Sequence, residues 1–367
     1  MMKVTEEQKL LALHTIDHLQ VRGRTNIASA VSLAAQVANG VKNPNKVRSV
    51  FLLTDGVANV GYTDAKDLIE LTKIFVESDH KQNTPPISLH TFGYGKQPDS
   101  QLLQKMANAS SGGSFYSVKD NSQVASAIGD AIGGILSVVA HNVTLTISVP
   151  VDIDLIDVYH DKKNLISDKV VQVNLGDIYA EETRDVLFEV SLACPRNLSD
   201  TEALFCHSTI ELSYIDTIKH SVVGPLIERA LISRPNTSEM GWPNQHVAIQ
   251  WSRVRTANVI SNVEQSAKMG DVDKAKKDLS SWLQEFEKEM FEIGGLSNAL
   301  LAQLHQDCKE SLVLLESTSY NAYVDNDLGV KCQAHLSQRC SQPLIRGKAN
   351  VYRTAQKALR AQQFDQM

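Results

Sequence analysis

The sequence predicts an α/β unit, then an antiparallel β unit, then a helical bundle. Three observations carry this reading. Over residues 1–138, segments of helical period alternate with short β-branched apolar runs, the pattern of a parallel sheet with crossover helices. Over 139–240, apolar and polar residues alternate between Asp, Asn, Gly and Pro turns, as in a β-sandwich. Over 241–367 the apolar period is helical, interrupted at Gly270 and Gly294-Gly295.

The first unit opens with a helix over Glu6–Leu19, apolar at Leu10, Leu11, Leu13, Ile16 and Leu19. A polar turn, Arg22 to Asn26, leads into an Ala-rich helix over Ile27–Asn39; Thr25 or Asn26 caps it and Gly40 ends it. Val47–Leu53 is a strand ending in Thr54-Asp55-Gly56, and a helix follows over Asp64–Glu77. The strand Ile87–Phe92 ends at Gly93-Tyr94-Gly95. A helix over Ser100–Ala109, a strand over Phe115–Val118 and a helix over Gln123–Leu136 complete the unit. In the second unit three apolar faces are legible: Val143, Leu145, Ile147 and Val149; Val171, Val173 and Leu175; Val186, Phe188, Val190 and Leu192. In the third, helices are expected over His246–Met269, Val272–Ile293, Leu296–Leu315 and Lys348–Ala361.

Composition narrows the function. The chain has 367 residues, 36 basic and 42 acidic, for a formal charge of −6; it lacks the basic footprint of a nucleic-acid binder. Its apolar runs all fall short of the roughly 18 residues of a membrane span, and its N-terminus has no signal-peptide core. Five cysteines, an odd and low number, suit a reducing compartment, so a cytoplasmic location is expected.

Thr25 and Asp55 are the candidate site residues. Thr25 opens a helix and Asp55 ends a parallel strand, and ligands of open α/β sheets bind at those strand ends. A hydroxyl and a carboxylate there are hard oxygen donors suited to Mg²⁺. A local reading serves as well, with Thr25 as a cap and Asp55 as a turn former, and on spacing alone it outweighs the metal reading.

Gly23-Arg-Thr-Asn-Ile27, followed by Val50-Phe-Leu-Leu-Thr-Asp-Gly56, resembles the second and third metal loops of a von Willebrand factor A domain. Thr91–Gly95, Ser111–Tyr116 and Ala131–Ser137 resemble later strand ends and the last helix of a cytosolic branch with plant and protist members. Ala334–Arg339 and Asn350–Gln356 are similar to that branch's C-terminal helical region, which interacts with the A domain. The resemblance implies a Rossmann-like sheet carrying a metal-ion-dependent adhesion site. The family's first metal loop, Asp-x-Ser-x-Ser, has no counterpart here, and Arg24 replaces a family glycine. The chain is therefore expected to start partway through the domain. Its Thr25–Asp55 site is expected to be incomplete, with no cofactor unless the missing loop is supplied and Mg²⁺ with it. The strand ending at Leu53 is expected to lie at an unpaired edge.

Other candidates are weaker. Gly93-Tyr-Gly-Lys96 lacks the phosphate-loop spacing. Cys308, Cys332, His335 and Cys340 do not match a zinc spacing and read as buried thiols beside a helical histidine. His14 and His18 share a helix face without a third ligand. Trp242, Trp251 and Trp282 read as helix packing. The segment from Lys331 is basic, with Arg339, Arg346, Lys348, Arg353, Lys357 and Arg360; it reads as a solvated face, or as a partner for acidic groups elsewhere in the chain or on another protein. The expected function is non-catalytic protein–protein interaction or scaffolding with a protein partner. Two alternatives are a substrate-binding component related to RING-type ubiquitin ligases, although these residues contain no RING cysteine array, and a hydrolase with an unrecognised triad, although no Gly-x-Ser-x-Gly occurs.

Overall fold

The structure, a computed structural model, describes residues 5–20, 23–42, 44–77, 87–95, 99–110, 112–192, 204–233, 244–317, 322–339 and 350–365. Helix α1 (Glu6–Asp17) is held by a capping box: Thr5 Oγ1 accepts from the Gln8 N–H, and the Gln8 side chain accepts from the Thr5 N–H. Its leucines remain exposed, so local capping rather than packing defines it.

Helix α2 (Ile27–Asn39) buries Ile27, Ala28, Val31 and Ala35, the stripe expected from its period. Strands β1 (Arg48–Thr54), β2 (Ile87–Tyr94) and β3 (Phe115–Val118) form a parallel sheet in that order, with Val50 opposite Leu89 and Phe92 opposite Tyr116. Helices α3 (Ala65–Glu77), α4 (Ser100–Ala109) and α5 (Val124–Leu136) connect and cover it. One face packs Leu52, Leu68, Leu89, Leu103 and Met106; the other packs Phe92, Tyr116, Val118, Ala127 and Ala131. The central strand β2 is buried from Ile87 to Gly93. Among the described residues, β1 pairs on one side only, and its Leu53 is 59% exposed.

The β unit comprises β4 (Val138–Ser148), β5 (Ile153–Tyr159), β6 (Lys163–Ser167), β7 (Val170–Tyr179), β8 (Leu187–Leu192), β9 (Leu204–Asp216) and β10 (Ser221–Ser233). Five strands form one antiparallel sheet in the order β10-β9-β4-β7-β6, and β5 pairs with β8. Ile147, Val158, Val171 and Val173 fill the space between the two sheets, joined by Leu145, Leu155, Leu175, Val186 and Phe188. Leu145, Ile147, Val171, Val173, Leu175, Val186 and Phe188 of the apolar faces read from the alternation thus form the sandwich core, while Val143, Val149, Val190 and Leu192 lie outside this cluster.

The helical unit contains α6 (Gln245–Lys268), α7 (Val272–Ile293), α8 (Ala299–Ser317), α9 (Ala322–Ser337) and α10 (Ala355–Asp365). The core includes Ile260, Val263, Leu279, Trp282, Phe286, Leu301, Leu304 and Leu328. Helix α9 was not expected: Asp325, Asp327 and Gly329 are poor helix formers. Burial of Val324, Leu328 and Cys332 against α6 overrides that propensity. The last helix starts later than its period suggests. Asn350 forms a turn instead, its side chain accepting from the Tyr352 N–H at 2.9 Å. Residues 348–349 lie outside the described residues. Trp282 packs among helices, its Nε1 donating to Thr256 Oγ1 at 3.2 Å. Trp251 instead turns edge-on to Tyr159 of the β unit, and Trp242 lies outside the described residues.

Helix α10 leaves the bundle and packs on α5. The approach depends on Gly133 and Gly134. A Cβ on Gly133 would stand 3.0 Å from Arg360 Cβ and 3.2 Å from Lys357 Cα; one on Gly134 would stand 2.8 Å from Lys357 Cε.

Candidate functional site

The loop after Gly23 and the loop after β1 meet. The Thr25 N–H donates to Asn59 Oδ1 at 2.8 Å, and Thr25 O accepts from the Asn59 and Val60 N–H groups at 3.0 and 3.2 Å. Asn26 caps α2 through the Ser29 N–H. Its side chain lies against Gly61, where an added Cβ would approach it to 2.8 Å. Thr54 turns the chain after β1, donating through its hydroxyl to Gly56 O and accepting from the Gly56 N–H. Thr25 Oγ1 comes within 3.7 Å of the position a Cβ on Gly56 would occupy. Thr25 and the Asp55–Gly56 turn are therefore neighbours, with Thr25 half-buried and Asp55 exposed.

Asp55 also lines a mostly apolar cavity of about 270 Å³, with Leu53, Phe92, Tyr94, Val118 and Ile128. As a metal centre, the pair supplies one hydroxyl and one carboxylate. Among the described residues there is no group of three or more His, Cys, Asp or Glu arranged to hold a metal ion. Mg²⁺ requires near-octahedral oxygen coordination, of which this pair supplies two donors.

The cysteine and histidine candidates serve other purposes. Burial pushes the Cys308 and Cys332 thiols up to about 12, and Cys332 Sγ faces Ala257 O at 3.4 Å. His335 lies 3.0 Å from both Asp307 Oδ2 and Tyr352 Oη, joining α8, α9 and the turn before α10. His14 and His18 stack on exposed α1, and Cys340 lies outside the described residues.

The chemistry that sequence reading missed lies inside, where the three units meet. Asp130 of α5 is fully buried. It accepts from Arg353 Nε at 2.8 Å and from Tyr116 Oη at 3.0 Å, and Lys357 Nζ stands 3.5 Å away. Arg339 donates to Gly112 O at 3.1 Å and to Asp177 O, and lies over the Tyr179 ring; Lys357 lies over the same ring at 4.6 Å. Asp177 sits against His141 and accepts from Ser88 Oγ and the Asn142 N–H, each at 3.3 Å. Burial alone would raise the Asp177 carboxyl, but His141 and Arg339 hold it below its usual range. Glu182 is held down in the same way by Arg339 and Arg184. Burial, reinforced by Arg339 and Lys357, lowers His90 to about 3.

One signal could have located this cluster. Asp130 is the only charge in the apolar, glycine-rich helix Val124–Leu136, and a cationic tail follows far downstream. Lys331, Arg339, Arg353 and Lys357 are not a solvated face. They are buried and paired with acidic groups of the same chain. Arg346 and Lys348 lie outside the described residues.

A short parallel sheet with helices around it, and with strand-end loops bringing Thr25 beside the Asp55–Gly56 turn, defines a Rossmann-like domain. The family profile of the von Willebrand factor type A domain matches residues 1–116, and this stretch is similar to that domain. The E3 ubiquitin-protein ligase WAV3 of Arabidopsis thaliana is 27% identical over 193 residues, 51% of this chain. That stretch spans only 23% of the ligase. A von Willebrand factor type A structure from Catenulispora acidiphila superposes with a TM-score of 0.64 at 14% identity, covering 90% of this chain and 74% of that one. The human COPII-coat protein Sec24c superposes with a TM-score of 0.53 at 11% identity, covering 89% and 45%. These structural likenesses extend the shared fold beyond the A domain into the β and helical units. No described helix is long and apolar enough to cross a membrane.

Proposed function

We propose that the chain is a non-catalytic interaction scaffold that presents the carboxyl end of its A-domain sheet to a protein partner. The observation that carries this is a division of labour among polar groups. The buried ones, centred on Asp130, tie the three units together. The strand-end loops carrying Asp55, with apolar Leu53 and Val57 beside it, face solvent. A surface carboxylate rimmed by exposed apolar side chains suits protein recognition. Thr25 and Asp55 are retained elements of an adhesion site that does not hold Mg²⁺ on these residues alone. We further propose a cytoplasmic location, which the buried free thiols at Cys308 and Cys332 support.

A photo-crosslinking residue at position 57 should give one discrete protein adduct in cells, lost on Asp55→Ala. Equal adducts from a probe at Met269, an exposed position in the helical unit, would contradict the proposal. Mg²⁺-dependent thermal stabilisation that disappears in Asp55→Ala would overturn the reading that these residues alone hold no Mg²⁺.

The similarity to WAV3 favours a second reading, in which the scaffold recognises substrates for ubiquitin transfer carried out elsewhere. On that reading the isolated chain, given ubiquitin, activating enzyme and conjugating enzyme, transfers none. Transfer by the chain itself would make it an enzyme.

A further inference from the structure

A second cleft lies where all three units meet, bounded by α4, the segment from Gly112 to Phe115, the β5–β6 loop and α9. Its volume is about 30 Å³, room for roughly two waters or a single small oxyanion. Its walls hold an unusual set of donors. Ser114 Oγ, Gln104 Nε2, Arg184 Nε and Arg339 Nε are all buried without a hydrogen-bond partner, and all four residues line this cleft. Buried donors left unpaired are costly, and several in one place call for a missing acceptor.

The remaining groups on these side chains are committed elsewhere. Arg184 gives its terminal nitrogens to Ser337 O and to Glu182, with its side chain only 7% exposed. Arg339 gives its own to Gly112 O and Asp177 O, and its Nε stands 3.7 Å from Glu182. Lys162 also lines the cleft. Its ammonium donates to Ser110 O at 3.2 Å, which leaves further donor capacity. The one carboxylate in the lining, Asp161, accepts from Gln333 Nε2 at 2.9 Å. The lining therefore holds three cations against one carboxylate. Two waters would leave the cationic lining without a counter-charge, whereas a tetrahedral oxyanion accepts from these donors and neutralises it.

We infer that this cleft binds one tetrahedral oxyanion of the phosphate type, held by Lys162, Ser114, Gln104 and the Nε–H groups of Arg184 and Arg339. Such an anion touches the A domain, the β unit and the helical unit together, so its binding strengthens the junction. The space admits one such group and not a nucleotide.

The test is calorimetric titration of the full chain with inorganic phosphate, against chloride at equal ionic strength, together with thermal unfolding. Phosphate is expected to bind saturably with one site per chain and to raise the unfolding temperature. Lys162→Met, which keeps the apolar stem, should weaken binding about tenfold, the effect of one charge-assisted hydrogen bond. Ser114→Ala should weaken it by a smaller factor, and both variants should keep the wild-type circular dichroism. A parallel titration with phosphoserine separates the sources: binding of inorganic phosphate alone identifies a free anion, and binding of both identifies an esterified phosphate. No saturable phosphate binding, or phosphate affinity unchanged in both variants, would overturn the proposal.

Discussion

At the scale of the residue, Asp130 is the most consequential side chain. It is buried between Arg353, Lys357 and Tyr116, and removing it takes a buried counter-charge away from two cations. Asp130→Ala is expected to cost about 3–5 kcal/mol in urea unfolding, the usual result of breaking a buried ion pair. A loss under about 1 kcal/mol would mean that the cluster does not hold the units together. Histidines set the pH dependence. Burial lowers His90 to about 3 and His160 to about 4, so both stay neutral in the fold while the unfolded chain takes up protons below 6.5. The unfolded state then binds more protons, and stability must fall as the pH falls from 6.5 toward 4. The expected loss between pH 6.5 and 4.5 is on the order of 2–5 kcal/mol. The lowered Asp177 and Glu182 carboxyls add a further loss below their usual titration range. Urea titrations at a series of pH values measure this, and a flat profile over that interval would contradict it.

At the scale of the element, the A-domain helices and strands were legible because their periods and punctuation agree with their packing. The Ile27–Asn39 and Ser100–Ala109 helices stand where capping residue and apolar stripe place them. Helix α9 was hidden because its Asp residues and Gly329 disfavour a helix that only tertiary burial stabilises. The neighbouring positions of Thr25 and Asp55 were legible from a helix start, a strand end and the family resemblance, whereas the Asp130 cluster was not, since its members come from distant stretches of chain. Helix α10 seats on α5 because Gly133 and Gly134 leave room. Gly133→Val pushes against Lys357 Cα and Arg360 Cβ, and is expected to cost about 1–3 kcal/mol and to open α10 to limited proteolysis. Cleavage no faster than in the wild type would contradict this contact. Strand β1 shows the opposite behaviour: among the described residues it pairs on one side only, and its Leu53 is exposed. Leu53→Lys is expected to change stability by less than about 0.5 kcal/mol while reducing self-association at high concentration, read by light scattering.

At the scale of the whole molecule, the formal charge of −6 conceals a pairing between distant stretches. Cations at Arg339, Arg353 and Lys357 meet acids at Asp130, Asp177 and Glu182, which belong to the A domain and the β unit. Arg253 extends the same linkage, donating to His335 O at 2.6 Å and to Asp185 O at 3.2 Å. A junction of buried charges couples the units, because separating any one exposes unpaired charges on the others. The most direct measurement is scanning calorimetry of the full chain beside Asp130→Ala and the milder Arg353→Met. One cooperative transition is expected, moving as a whole to lower temperature in both variants. Separate transitions for the three units, with only one of them shifted by either substitution, would contradict a scaffold locked at its junction.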